Sequence, residues 1–163
     1  MSNAMRLLPR WYGLWTGTSE HESTATMSVR TNILPVMEGR GFAMQTEMFD
    51  PSTGTFLRGV RFALAVGPDG RVQTVGYSTE MGVFGLEETP DDEDVLALSG
   101  VTESGIQLNV TYREESPDTL MFSVFWRPHG ASLGKNARPG LFGRIHRRQP
   151  WRPPAPQGGG NPV

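Results

Sequence analysis

The sequence contains no cysteine, so it offers no disulfide framework, no thiolate nucleophile and no thiolate metal site. No apolar run approaches the roughly 18–20 residues that a membrane-spanning helix needs. The opening segment Met5 to Pro9 is too short for a signal peptide. Histidine is scarce, and His21, His129 and His146 do not have the spacing of metal ligands. These absences predict a cytoplasmic protein with no membrane partner and no metal site.

Basic residues are missing from one long stretch, and acidic residues from another. Between Arg71 and Arg113 there is no Lys or Arg but there are eight acids, whereas after Asp118 there are seven bases and no acid. We expect an electrically polar molecule, with two solvated faces or with acids contacting bases inside the fold. Head-to-tail association, a homodimer and steering of an anion remain alternatives. We expect no nucleic-acid partner, because the basic stretch lacks interleaved aromatics and the net charge is −2.

Both ends of the chain differ in composition from its middle. Residues 1–4 precede a second methionine at Met5 and are typical of an expression remnant, so we expect the fold to begin near Arg6. Proline and glycine dominate after Gln149. The sequence therefore predicts a remnant and start over 1–5, one domain over 6–149 and an extended or disordered tail over 150–163. Trp151 is the tail residue expected to dock, either on this domain or on a neighbouring copy.

Apolar residues recur with a period of two, and no long amphipathic helix is present. Ile106 to Arg113 alternate strictly between apolar and polar, which predicts a half-buried strand. Turn-forming sequences such as Gly67 to Gly70 and Glu115 to Thr119 separate the predicted strands. The strands are expected near residues 10–18, 24–34, 40–50, 55–66, 71–78, 81–88, 94–100, 105–115, 119–128 and 140–148.

About ten short antiparallel strands in sequential order favour closure of the sheet, because closure removes the unpaired edges that promote aggregation. The predicted fold is all-β, an antiparallel up-and-down barrel that encloses a cavity. A sandwich of two sheets is the structural alternative.

The first predicted strand contains a Gly-x-Trp-x-Gly pattern formed by Gly13, Trp15 and Gly17. This pattern resembles the signature of lipocalins, fatty-acid-binding proteins and related calycin barrels, in which the tryptophan plugs the closed end. The glycines let neighbouring strands approach, and the indole N–H needs a partner. The resemblance also implies a covering arginine from the last strand, for which the candidates are Arg144, Arg147 and Arg148.

Two further segments extend the resemblance. Gly39 to Glu47 and Leu57 to Phe62 look like the third and fourth strands of uncharacterised bacterial lipocalin-like families. Nitrobindin-like haem barrels share the opening motif, but they place a ligating histidine several residues before their terminal arginine. Here His146 lies two residues before Arg148, so we expect neither haem nor another cofactor.

The last predicted strand carries Arg144 and His146, which are similar in position and spacing to the Arg-x-Tyr with which fatty-acid-binding proteins grip a carboxylate. Residues two apart on a strand share a face, so both side chains could point inward and bind an anion. The alternative has Leu141 and Ile145 inward and leaves the charged pair in solvent.

The preferred function is binding of a small apolar or amphipathic ligand, with carboxylate-bearing ligands included, among Val110, Tyr112, Val124 and Trp126. Arg144 and His146 are the candidate polar anchors, and no catalytic residue is assigned. An isomerase or decarboxylase that uses His146 and Tyr112 is one alternative. The other is a protein-interaction module with a filled barrel and an apolar outer face on strand 119–126. Because Trp15 marks the closed end, any site is expected toward the opposite end.

Overall fold

The computed structural model describes residues 2–21, 24–89, 91–128 and 140–155. Within these residues, ten antiparallel strands follow one another around a closed barrel, and the last strand pairs with the first. A short helix α1 (Asn3–Leu7) and a 3-10 turn (Leu8–Trp11) precede the barrel, and a second 3-10 turn (Met37–Gly39) joins two strands. The strands are β1 (Gly13–His21), β2 (Thr24–Val36), β3 (Gly41–Phe49), β4 (Phe56–Val66), β5 (Val72–Ser78), β6 (Gly82–Thr89), β7 (Val95–Val101), β8 (Ile106–Ser116), β9 (Thr119–Pro128) and β10 (Leu141–Pro150).

The predicted all-β, up-and-down barrel is confirmed, and each of the ten predicted strands lies within three residues of its observed bounds. The sandwich alternative is wrong, because β1 pairs with β10 over nine positions from Gly13 to His21 and leaves no sheet edge there. Alternation fixes which residues fill the interior: on β3 and β4, for example, Met44 and Phe62 are buried and are cross-strand partners.

Helix α1 and the 3-10 turn that follows it close one end of the barrel. Ala4, Leu7, Leu8 and Trp11 are completely buried, and the Ala4 amide donates a hydrogen bond to Glu88 on β6. The expectation that the fold begins near Arg6 is therefore wrong. Residues 3 and 4 were set aside on their sequence context, whereas their burial depends on β6 and β7, which lie far along the chain. This end is called the closed end below, and the opposite end the open end.

The described part of the tail, residues 150–155, begins against the closed end. The Trp151 ring packs edge-on against Tyr12, with centroids 5.7 Å apart, and the Trp151 amide donates to the Tyr12 carbonyl. Trp151 thus docks on its own domain, while residues 156–163 lie outside the described residues.

Among the described residues, the ion pairs do not join the acidic stretch to the basic one, because Glu115, Asp118 and Arg113 lie outside both stretches. Arg144 and Arg147 on β10 form ion pairs with Glu115 and Asp118, and Arg113 pairs with Asp92. Lys135, Arg138 and His129 lie outside the described residues. Within the described ranges, no helix combines the length and apolar character required to cross a bilayer.

Candidate functional site

Trp15 forms the centre of the closed end. Its ring is fully buried, and its indole N–H donates to the Trp11 carbonyl at 2.8 Å. The Arg147 guanidinium lies 4.5 Å from the ring centroid, so Arg147 is the covering arginine among the three candidates. The same guanidinium donates to the carboxylate of Asp118 and to the backbone carbonyls of Arg10, Tyr12 and Pro117.

The two glycines of the motif allow β1 and β10 to approach closely, as the resemblance implies. A Cβ on Gly17 would lie 2.0 Å from the Arg144 carbonyl oxygen, and one on Gly13 would lie 2.2 Å from that of Gln149. Gly13 also has φ +134°, a conformation that other residues rarely adopt. The motif therefore builds the junction that closes the barrel.

β10 is oriented so that Arg144 and His146 point away from the barrel interior and cannot bind an anion there. Leu141 and Ile145 are buried, whereas Arg144 and His146 are exposed. Arg144 forms a two-pronged ion pair with Glu115 on the outer surface, and His146 hydrogen-bonds to Thr119 at 3.1 Å. The prediction that Arg144 and His146 anchor a ligand in the interior is therefore wrong in its geometry. Alternation explains this, because Ile145 and Arg147 take the inward positions beside Trp15.

The four other candidate ligand-binding residues, on β8 and β9, do face inward. Val110, Val124 and Trp126 line a cavity near the open end, at the end of the barrel where the sequence predicts a site. Tyr112 is buried below this cavity, nearer the closed end, and packs against Phe122 with ring centroids 6.0 Å apart. Three of the four candidates thus share one chamber, and Tyr112 supports it from beneath.

The interior cavity has a volume of about 80 Å³. Sites for drug-sized ligands measure roughly 300–1,000 Å³, so the chamber as it stands admits only a few atoms. Its walls are mainly apolar side chains of β3, β4, β6, β8, β9 and β10, and polar groups gather at the mouth. The apolar wall residues are Met48, Val60, Phe62, Met81, Phe84, Leu108, Val110, Val124, Trp126 and Leu141.

Arg58 and Glu80 lie at the mouth of this cavity. Arg58 occupies an inward position of β4, opposite buried Met48, and its side chain is only 24% exposed. Its Nη1 lies 3.3 Å from Glu80 Oε1, while Glu80 itself is 51% exposed. The buried Nε of Arg58 has no hydrogen-bond acceptor within the described residues. A partly satisfied guanidinium therefore faces an apolar chamber.

Sequence reasoning missed Arg58, although the sequence contained a signal for it. Along β4 the residues Arg58, Val60, Phe62 and Leu64 share one face, while Arg61 lies on the other. An arginine in register with three apolar inward residues is the pattern of a buried cation at a strand end. Glu80 had no such signal, because it lies in the turn between β5 and β6.

The floor of the cavity is a small buried polar cluster. Thr46 lines the cavity and lies 2.9 Å from Thr31, hydroxyl to hydroxyl. Burial raises the pKa of the Tyr112 phenol above its usual value, and a hydrogen bond with Thr46 partly opposes this effect. Tyr112 therefore stays neutral at physiological pH and serves as a hydrogen-bonding group. His146, the acid or base of the enzyme alternative, is exposed on the outer face of β10, so the structure does not bring it together with Tyr112.

A larger groove of about 1070 Å³ lies on the outside of the barrel, along β5 to β8. It is open to solvent, and Asp69, Glu87, Glu88 and Asp91 are among the residues that line it. An open acidic groove keeps its charges hydrated, so it lacks the water-poor surroundings that strengthen polar recognition. We therefore take the interior cavity as the candidate site, despite its smaller volume.

Comparison by sequence finds no matching family model and no matching curated protein. By structure, the chain is similar to Rv2717c from M. tuberculosis, with a TM-score of 0.65 and 18% identity over 91% of this chain and 99% of that one. The S-type phycobiliprotein lyase CPES from Guillardia theta gives a TM-score of 0.51 and 13% identity over 91% and 94% of the two chains. The fold of the described residues is a closed, ten-stranded antiparallel barrel of lipocalin-like architecture. Identities this low show the fold alone.

Proposed function

We propose that this protein binds a small apolar or amphipathic molecule in the interior cavity at the open end of its barrel. The observation that carries the proposal is the contrast within one interior: Trp15 fills the closed end, while apolar walls with a polar mouth surround open space at the other. Apolar surroundings with a few convergent polar groups are the usual composition of a small-molecule site.

The small volume constrains how such a ligand enters. A dry cavity of about 150 Å³ can hold benzene, so a ligand larger than a few atoms requires side chains at the mouth to move. Met48 and Met81 line the cavity, and unbranched thioethers adapt to new shapes at little cost. We therefore favour an adaptable site over a rigid, preformed one.

We also propose that the chain belongs with uncharacterised bacterial lipocalin-like proteins. The segments that suggest this, residues 39–47 and 57–62, contribute to β3 and β4, the third and fourth strands that the resemblance implies. Sharing a fold does not transfer a ligand between such proteins, so the ligand has to be identified on this chain.

The first experiment is native mass spectrometry of the protein as purified from cells, compared with its denatured mass. A retained small molecule supports the proposal and gives the mass of the ligand. The second experiment measures binding of the neutral fluorescent probe N-phenyl-1-naphthylamine to wild type and to Val124→Phe, in which the larger side chain fills the cavity. We expect this variant to bind the probe about tenfold or more weakly, since filling the cavity removes most of the apolar contact that the probe makes.

Met121→Phe is the matched control, because Met121 lies on the same strand but is exposed on the outer face. It should bind the probe as wild type does. A clean ligand-free mass together with no binding to wild type would contradict the proposal and favour the interaction module. The outer face of β9 and β10 retains exposed Met121 and Phe142 for such a role.

A further inference from the structure

Arg58, at the mouth of the cavity, has fewer hydrogen-bond partners than Arg147, which also faces the barrel interior. Arg147 at the closed end donates to four oxygen acceptors and covers an aromatic ring. Arg58 at the open end contacts one oxygen of one carboxylate, and its buried Nε has no acceptor in the described part of the chain. A guanidinium can donate five hydrogen bonds, so Arg58 keeps donors that no acceptor in the described residues binds.

The ion pair between Glu80 and Arg58 is weak enough for another anion to replace Glu80. Glu80 is more than half exposed and meets Arg58 through a single contact, whereas a strong arginine–carboxylate pair is two-pronged, as between Arg144 and Glu115. An ion pair with one partner largely in solvent contributes little to stability. Glu80 can therefore leave Arg58 at small cost if another anion replaces it.

The turn that carries Glu80 is held independently of the ion pair. The Thr79 amide donates to the Gly59 carbonyl, the Gly59 amide donates to Thr79 Oγ1, and the Met81 amide donates to Ser78 Oγ. These bonds keep the turn against β4 when the Glu80 side chain rotates outward. Exchange at Arg58 then requires the movement of one exposed side chain and leaves the strands in place.

We propose that the ligand of this cavity carries a single anionic group, and that this group replaces Glu80 on Arg58 while the apolar part of the ligand lies among Val60, Phe84 and Trp126. The inference rests on the proposed function and adds the chemical class of the ligand: an amphipathic anion of the carboxylate or sulfonate type. Glu80 occupies the anion position in the empty protein and competes with the ligand. The guanidinium fork can bind two oxygens of such a group in a water-poor mouth, which a neutral ligand cannot exploit.

The test uses two probes that share an aromatic framework and differ in charge, 1-anilinonaphthalene-8-sulfonate and neutral N-phenyl-1-naphthylamine. Arg58→Met keeps an apolar side chain of similar length and removes the charge. We expect this variant to bind the sulfonate about tenfold or more weakly, from the loss of a charged hydrogen bond, and the neutral probe nearly as wild type does. Arg61→Met is the matched control on the outer face of the same strand, and both affinities should stay unchanged.

Glu80→Gln tests the competition without altering the arginine. It should bind the sulfonate several-fold more tightly, because the competing charge is gone, and leave the neutral probe unaffected. The anion inference is overturned if Arg58→Met weakens both probes equally or neither, or if Glu80→Gln leaves sulfonate binding unchanged. If wild type binds neither probe, the proposed function itself fails. A third outcome separates the two proposals. If Val124→Phe blocks the neutral probe but Arg58→Met does not change sulfonate binding, the proposed binding function stands and only the anion inference fails.

Discussion

The two ends of the barrel use the same kinds of residue with opposite outcomes. At the closed end, Trp15 is completely buried and its N–H is satisfied, while Arg147 makes four side-chain hydrogen bonds. At the open end, Trp126 is only partly buried and lines a cavity, while Arg58 holds one ion pair. Tryptophan and arginine therefore stabilise one end and leave the other adaptable.

The difference teaches that the number of hydrogen-bond partners and the tightness of packing decide whether a tryptophan or an arginine stabilises the fold or remains available for a ligand. A buried arginine with every neighbour in place rigidifies its surroundings, whereas one with unused donors keeps affinity for an incoming anion. The closed end also gains α1, whose Ala4 and Leu7 are completely buried in the same core cluster as Trp11 and Trp15. Three predictions test this comparison.

The largest effect is expected from the tryptophans. Trp15→Ala should lower the free energy of unfolding by about 3–5 kcal/mol, because it removes a fully packed indole. Trp126→Ala should cost clearly less, since Trp126 is partly exposed and already borders open space. Urea unfolding of both variants measures the difference. Equal losses would show that the open end is packed as firmly as the closed one.

The arginines should differ in the same direction by a smaller amount. Arg147→Met is expected to cost about 1–2 kcal/mol, because it removes four side-chain hydrogen bonds and the guanidinium that covers the Trp15 ring. Arg58→Met should change stability by about 1 kcal/mol or less, since it gives up one ion pair with a half-exposed carboxylate and removes an unsatisfied buried N–H. Thermal and urea unfolding provide the measurement, and a greater loss at Arg58 would reverse the assignment of the two ends.

The smallest effect concerns Tyr112, which separates the two ends. Burial raises its pKa in the folded state, so above about pH 10 the unfolded chain releases a proton that the barrel retains. Stability should therefore fall as pH rises from there toward the folded-state pKa, with a slope of up to about 1.4 kcal/mol per pH unit. Tyr112→Phe should reduce this slope.

Tyr77→Phe serves as the control, because Tyr77 is exposed on the outer face of β5. Unfolding free energies between about pH 8 and pH 11 decide the outcome. An unchanged slope in Tyr112→Phe would mean that water reaches the floor of the cavity.

The face of β10 that points inward was the central uncertainty of the sequence, and one residue could have resolved it. Leu141, Ile145 and Arg147 share a parity, so choosing Arg147 as the arginine over Trp15 would have placed Arg144 and His146 outside. Arg144 and Arg148 were equally acceptable candidates from the sequence. The register of β10 with β1 shifts between Gln149 and Arg147, so Arg148 has no Cα partner on β1. Such an irregularity depends on contacts between chain ends and leaves no local signal.

By itself, the sequence determined the ten strands, their sequential order and the position of the plug, because alternation, turn residues and the Gly13–Trp15–Gly17 motif are local. It also contained the inward pattern of β4 that includes Arg58. The tertiary structure alone decided that Ala4 belongs to the core, that Arg144 and His146 face solvent, and that Glu80 meets Arg58. Each of these outcomes joins segments distant in sequence, where a period of two defines two faces but only packing selects the inner one.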